Sequence, residues 1–405
     1  MWRKYSIALI CLCPLYANAD TPDIYPNSLS LSASQEQWIH YDRFTTNLEF
    51  STITSLGFFG LQAARENGEG KIFSELNIGG FSQVANNPWK TFDASRFGIK
   101  YGFKAQLGGG LVKGGIGAQQ YDGSTDCQVD GCKDIESWGW GGEVTWKQKT
   151  ENEWKVKYKH HSFVPTQWHP LSVSPLPLIQ RTKLNQAWLE LERKTSSYRA
   201  QVEYLGGKKS DSYSVLIPSN NIHFQKYTLG FFPRIFSLAG PLDFGPLICA
   251  GTGEGSIAQL NLTRCLGVKL YLDASDHNLS VAFLTETGTG SAYFSEFDIH
   301  EDRTKHSLTL EYKSGPWEAA GFYSREIHSA AFSIYDPTLA FIVGGVRHNN
   351  KRTIKEYGIT LKKVVSKQLT LSASLQGIDA IGNFYTNPAL DESGWKLELG
   401  LKQLF

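Results

Sequence analysis

The feature that most constrains this chain is an alternation of apolar and polar residues with a period of two, which recurs along most of its length. Such a period places successive side chains on opposite faces of a β-strand, so the sequence predicts an all-β fold of amphipathic strands. The last segment is the clearest example. Its apolar face consists of Trp395, Leu397, Leu399, Leu401 and Phe405, and its polar face of Lys396, Glu398, Gly400 and Lys402.

Short turns alternate with longer polar connections between these strands. Eight hairpins plus a first and a last strand predict about 18 strands. The stretch 229–264 contains Pro233, Pro241 and Pro246 and reads as irregular, which would lower the number to about 16. The predicted short turns lie at 67–70, 107–110, 149–153, 194–197, 273–277, 313–316 and 364–367, and the predicted long connections at 122–136, 164–183, 208–222, 288–303, 328–353 and 379–393.

Hydropathy separates the possible membrane classes. Outside the first 20 residues no stretch of 18 residues is apolar, which excludes a helical membrane protein. The mean hydropathy of −0.28 is compatible with a membrane β-barrel, because its strands alternate. Aromatic residues near strand ends favour a closed antiparallel transmembrane barrel of about 16–18 strands, with short periplasmic turns and long extracellular loops, over a soluble sandwich. These residues are Trp138, Trp154, Tyr158, Tyr198, Tyr357 and Trp395.

The N-terminus has the pattern of a secretory signal peptide. Arg3 and Lys4 precede an apolar run, and Ala17 and Ala19 form a small-x-small cleavage site. We therefore expect a signal peptide at 1–19 and one barrel domain at 20–405. Removal of two of the 40 basic residues would leave 38 against 39 acidic ones, a net charge of −1. This balance gives no indication of nucleic-acid binding.

Four cysteines remain after the predicted cleavage, namely Cys127, Cys132, Cys249 and Cys265. An even number in an exported chain indicates disulfides rather than a metal site. The pairing closest in sequence joins Cys127 to Cys132 and Cys249 to Cys265. Three connectivities are possible, and the sequence does not choose among them.

The C-terminal strand ends in Phe405 after alternating apolar residues. This ending resembles that of Gram-negative outer-membrane β-barrels, whose terminal aromatic residue is read by the barrel-assembly machinery. The resemblance covers the mature chain as architecture. It implies an outer-membrane location, contact with outer-membrane lipid, and a porin-like channel for small hydrophilic solutes. It leaves open whether the protein forms a homo-oligomer.

The polar face would line the interior of such a barrel. Basic residues dominate its early strands, and charged walls bias which solutes enter a water-filled pore, so anionic solutes are the expected class. The alternative is that these residues are paired with acidic neighbours and select nothing. The candidate pore-lining residues are Arg96, Lys100, Lys104, Lys113, Lys147, Lys155, Lys157, Lys159, Glu203, Glu311, Glu356 and Glu398.

One segment carries the residue types of a hydrolase. Tyr158, His160 and Ser162 alternate along one strand, and Asn185 opens the next. This arrangement resembles the Tyr-x-His-x-Ser-Asn-Gly motif of outer-membrane phospholipase A, although Phe163 and Val164 replace its Asn-Gly and that family has a barrel of about 12 strands. The resemblance implies a lipid-facing acyl hydrolase.

In that alternative, Ser162 would be the nucleophile, His160 the base and Asn185 the group that orients the base, with calcium as a cofactor. A third alternative is a surface-polysaccharide or adhesin-type barrel. The preferred interpretation is a channel without cofactor, for which no catalytic residue is assigned.

Overall fold

In the computed structural model, 18 β-strands account for nearly all of the described residues. The structure describes residues 27–38, 41–54, 57–78, 81–125, 135–148, 153–168, 179–213, 220–237, 240–254, 259–274, 277–293, 297–335, 337, 347–382 and 393–404. The strands are β1 Asn27–Trp38, β2 Tyr41–Thr54, β3 Gly57–Ile78, β4 Phe81–Leu107, β5 Gly110–Thr125, β6 Ile135–Gln148, β7 Glu153–Trp168, β8 Ile179–Lys194, β9 Tyr198–Tyr213, β10 Asn220–Ser237, β11 Gly240–Glu254, β12 Gln259–Asp273, β13 His277–Tyr293, β14 Phe297–Ser314, β15 Trp317–Ile334, β16 Arg347–Val364, β17 Leu369–Gly382 and β18 Gly394–Leu404.

The sheet closes on itself. Each strand pairs antiparallel with the next, and β1 pairs with β18 from Ser28 opposite Leu404 to Trp38 opposite Gly394. A closed sheet leaves no unpaired edge in its wall. The prediction of an all-β, closed antiparallel barrel is confirmed, with a strand number at the upper end of the expected range.

The connections differ between the two ends. At one end, called the turn end, consecutive strands are separated by two to four residues. At the other, called the loop end, the separation ranges from two residues at 39–40 to 12 at 335–346. Several predicted connections were therefore too long; 288–303, for example, shrinks to 294–296. The reason is that polar strand segments continue to pair beyond the apolar part of the wall.

The turn expected at 67–70 is wrong for the same reason. These residues lie within β3, where Gly68 is opposite Arg43 of β2 and Phe92 of β4. Beyond Gly70 and Phe92, β3 and β4 have no further strand partner among the described residues except each other, up to Ile78 opposite Phe81. We call this two-stranded extension at the loop end the ribbon.

The apolar face of the sheet points outward and the polar face inward. In β18 the outward residues Trp395, Leu397, Leu399 and Leu401 are exposed, whereas the alternating residues Lys396 and Glu398 are half-buried. Inward carboxylates such as Glu36 and Glu66 are almost completely buried. This is the inverse of a water-soluble protein, in which apolar side chains are enclosed.

The wall bends sharply at β10–β13, which we call the corner. Cα atoms of β10 approach those of β12 within 8 Å, and Cα atoms of β11 also approach those of β13 within 8 Å. Strands two positions apart in a flat sheet would be about 9.6 Å apart. Inward-facing glycines permit the bend, since a Cβ atom at Gly245 would lie 2.0 Å from the carbonyl oxygen of Phe231, and one at Gly267 would lie 2.1 Å from that of Phe283.

The prolines do not remove strands from this region. The register of β10 and β11 stops at Gly230 opposite Leu247 and resumes at Arg234 opposite Asp243. Pro233 and Pro246 lie in this gap, where their missing N–H groups interrupt one ladder only. β10 still pairs with β9 there, which is why the lower estimate of about 16 strands is wrong.

The inside of the corner holds a small apolar core and the disulfide. Phe232 is fully buried, with its ring edge-on to that of Tyr271 at 5.4 Å. Cys249 and Cys265 lie directly opposite each other on β11 and β12, with Cα atoms 4.7 Å apart and their sulfurs bonded. Cys127 and Cys132 lie outside the described residues, so their pairing stays a prediction.

The predicted signal peptide at 1–19 and the terminal Phe405 also lie outside the described residues. Within the described ranges, no helix is long and apolar enough to cross a membrane.

We expect Gly245→Ala to destabilise the barrel by about 1–3 kcal/mol, because the added Cβ must displace backbone at the corner. The measurement is a urea titration of the folded band on unboiled gels. Gly321→Ala is the matched control, since its Cβ would meet nothing closer than 3.6 Å, and we expect a change below about 0.5 kcal/mol. Equal midpoints for the two variants would contradict the role assigned to Gly245.

Candidate functional site: the inner wall

A belt of exposed apolar side chains surrounds the outside of the barrel. Both of its margins carry aromatic residues. Trp154 and Tyr198 lie near the turn end, where the Arg193 guanidinium is 5.0 Å and 5.9 Å from their ring centres. The loop-end margin carries Tyr158, Tyr204, Tyr227, Tyr323, Tyr357 and Trp395. The outward positions beyond this margin are mostly polar.

The strand register places the 12 candidate pore-lining residues on the inward face, opposite the belt. On β4, Arg96, Lys100 and Lys104 alternate with the exposed Phe97, Ile99, Tyr101 and Phe103. Whether these residues line a water-filled pore stays a prediction. The inward residues are Arg96, Lys100, Lys104, Lys113, Lys147, Lys155, Lys157, Lys159, Glu203, Glu311, Glu356 and Glu398.

Most of the basic wall is paired with carboxylates. Lys155 lies 3.4 Å from Glu190 and 3.6 Å from Glu192. Lys157 and Lys159 lie 3.9 Å and 3.6 Å from Glu143. These contacts favour the alternative in which the wall is largely compensated.

The same compensation extends to the ends of the basic wall. Lys100 is 3.1 Å from Glu49, and Arg96 and Lys147 form ion pairs with Glu66 and Glu153. On the later strands, Glu356 accepts hydrogen bonds from Lys305 at 3.4 Å and Ser324 at 3.0 Å, and Glu398 is 3.6 Å from Lys396.

Lys104 and Lys113 are the exception on this wall. They lie directly opposite each other on β4 and β5, beside the turn at 108–109. Neither forms an ion pair with any other residue of the described ranges. Two facing ammonium groups repel each other, so this part of the turn-end mouth carries a local excess of positive charge.

A chain of ion pairs crosses the closing seam on the inside. Lys396 of β18 is 3.4 Å from Glu36 of β1, which is 2.6 Å from Arg43 of β2. Arg43 is also 3.3 Å from Glu66 of β3, and Glu66 pairs in turn with Arg96 of β4. We call these five residues the seam network. The side chains of Glu36 and Glu66 are only 5% and 2% exposed.

A second network lies at the turn end of the corner. Arg234 forms two hydrogen bonds with Asp243, at 2.7 Å and 3.0 Å. Arg199 is 3.4 Å from Asp243, 2.7 Å from Asp273 and 3.8 Å from the ring centre of Tyr271.

This network spans a wide arc of the wall, because Lys194 of β8 reaches Asp273 of β12 at 2.6 Å. In a circular barrel of this strand number, such strands would be about 23 Å apart. Two side chains bridge only about half of that distance, so the wall between β8 and β12 is strongly curved and the interior is not round.

Sequence reasoning identified Arg96 and Lys396 as inward residues but missed other members of these networks, including Glu36, Arg43, Glu66, Arg199 and Asp273. They occupy inward positions of strands whose alternation was not singled out. Their phase within each strand was the available signal.

The candidate hydrolase residues lie on the outward face just beyond the belt. Ser162 of β7 is opposite Asn185 of β8, and the His160 ring is 4.7 Å from that of Trp140. Within the described part of the chain, no hydrogen bond joins His160, Ser162 and Asn185. The barrel also has 18 strands, which differs from the phospholipase family. The structure therefore does not support the hydrolase interpretation.

No model of a known protein family matches this chain, and no curated protein matches its sequence. Among solved structures, it is similar to Acinetobacter baumannii OccAB2 at 9% identity and a TM-score of 0.43, covering 96% of this chain and 100% of that one. It is similar to Pseudomonas aeruginosa OccK10 (OpdN) at 11% identity and a TM-score of 0.36, covering 93% and 98%.

It is also similar to BauA, the ferric preacinetobactin receptor of Acinetobacter baumannii, at 7% identity and a TM-score of 0.44, covering 94% and 80%. At these sequence identities and TM-scores, the similarities show nothing about what the chain does.

We expect Glu66→Gln to destabilise the barrel by about 3–5 kcal/mol, because it leaves Arg43 and Arg96 without their shared buried carboxylate. Equilibrium unfolding in urea measures the change. Arg65→Gln is the control, because it breaks an ion pair to Asp93 that is 68% and 51% exposed. We expect less than about 1 kcal/mol for the control. A Glu66 variant as stable as the control would show that the seam network contributes nothing.

Proposed function

We propose that this protein is an outer-membrane channel through which small hydrophilic solutes cross the bilayer. The observation that carries the proposal is the inverted arrangement of the wall, with apolar side chains exposed outside and charged side chains enclosed. An apolar outer surface bounded by aromatic residues fits a bilayer and its two interfaces. A water-soluble protein would gain nothing from exposing it.

The size of the barrel supports a channel rather than a filled interior. A circular barrel of 18 strands with a tilt of about 40° would have a backbone diameter of about 35 Å. Inward side chains cover only part of such a width. The corner reduces it on one side, where Phe232 and its neighbours fill the inside of the bend.

The charges on the inner wall are compatible with passage of polar solutes. Paired carboxylates and cations hold each other in place, so the wall is polar and ordered without a large net field. Lys104 and Lys113 add an uncompensated positive site at the turn-end mouth. We propose that this site gives the channel a preference for anions.

We expect the folded protein to produce discrete conductance steps in a planar lipid bilayer, with a reversal potential in a salt gradient that indicates anion preference. Lys104→Gln/Lys113→Gln should keep the steps and lower the ratio of anion to cation permeability by about a factor of two, because the local positive charge is removed.

The matched control is Lys100→Gln/Glu49→Gln, which removes one compensated pair from the same wall and leaves the net charge unchanged. We expect its permeability ratio to equal that of the wild type. A bilayer that stays silent with correctly folded protein would contradict the channel. Unchanged selectivity in the double lysine variant would contradict only the assigned anion site.

A further inference from the structure

A histidine, an arginine and a lysine occupy the first outward positions beyond the loop-end margin of the belt on three neighbouring strands. His306 of β14 is opposite Arg325 of β15, which is opposite Lys355 of β16. Asp379 of β17 is opposite Lys355 and ends this row. The inner wall has no part in this row, because all four residues lie on the outward face.

A groove of about 680 Å³ opens at the same place. The aromatic margin residues Tyr323, Tyr357 and Trp395 form its lower wall, and Lys355, Asp379 and Ser393 form its polar rim. A Cβ atom at Gly377 would lie 2.3 Å from the Tyr357 ring, so this ring lies across the glycine. The missing side chain at Gly377 thus allows the aromatic ring to lie flat against the sheet.

Arg325 lies beside the groove, opposite the rim residue Lys355, so the charge around the rim is positive overall. Asp379 accepts a hydrogen bond from Ser393 at 3.2 Å and lies 3.5 Å from the Lys355 ammonium. The Lys355–Asp379 pair is loose, since these side chains are 43% and 36% exposed. Arg325 is exposed and has no ion-pair partner within the described ranges. Lys355 therefore lies between one carboxylate, Asp379, and Arg325, with His306 beyond Arg325.

We propose that this groove binds the phosphorylated sugar headgroup of a glycolipid in the surrounding leaflet, and this inference rests on the proposed membrane location. Arg325 and Lys355 would hold the phosphate by charge-assisted hydrogen bonds. The aromatic wall would contact the sugar, and the apolar belt directly below would contact the acyl chains. A free phosphate ion would use the cations and leave the aromatic wall without a contact.

The test is native mass spectrometry of the folded barrel in detergent with a bisphosphorylated glucosamine glycolipid, and with the same lipid after enzymatic dephosphorylation. We expect binding to the phosphorylated lipid to weaken at least about tenfold in Arg325→Gln/Lys355→Gln. Asp379→Asn should act in the opposite direction and tighten binding, because it removes the carboxylate that competes for Lys355.

Arg65→Gln/Lys208→Gln is the matched control. It removes one arginine and one lysine from outward positions beyond the belt on β3 and β9, away from the groove, and we expect binding within a factor of two of wild type. Unboiled gel migration establishes that each variant is folded. Equal binding by all variants, or equal binding of the dephosphorylated lipid, would overturn the proposal.

Excess inorganic phosphate distinguishes the two sources of the anion. Weak competition supports a lipid headgroup, whereas complete displacement at millimolar phosphate would show a simple anion site and overturn the lipid assignment. Failure of the channel is separately visible, because a barrel that does not conduct but binds the glycolipid refutes the channel alone. A barrel that does not float with lipid vesicles refutes the membrane location itself.

Discussion

The structure depends on the closure of one hydrogen-bonded ladder, between the first strand and the last. In a wall with an apolar exterior, each backbone N–H and C=O group needs a partner within the sheet. The pairing of β1 with β18 provides these partners along the seam. The seam network crosses the same junction on the inside, so side chains from five strands join where the backbone ladder closes.

The sequence was sufficient for the fold class and for the face of the residues in the clearest strands, because a period of two determines both, and the count of turns predicted the approximate strand number. It was less informative about which side chains contact each other across neighbouring strands. The partners of Glu66 come from β2 and β4, and nothing in the local pattern of β3 identifies them. The corner was hidden for a related reason. Prolines at 229–264 suggested irregular structure, whereas Gly245 and Gly267 permit a tightly bent but continuous wall.

At the candidate site, too, the sequence indicated which residue types line the wall but not which side chains they contact. A run of lysines on β7 indicated a basic wall, but Glu143 and Glu190 of the adjacent strands compensate it. Lys104 and Lys113 differ because they face each other. The resemblance to a hydrolase also depended on residue types alone, and the strand geometry does not connect His160 to Ser162.

The ribbon of β3 and β4 differs from the rest of the wall in its local stability. Closure removes every edge from the wall, but beyond Gly70 and Phe92 no strand of the described ranges pairs with the outer sides of this hairpin. A hairpin of two strands without a third is only marginally stable in water. Local unfolding there costs little free energy and leaves the ladders of the wall intact. Amide hydrogens of the ribbon are therefore expected to exchange before those of the seam and the corner.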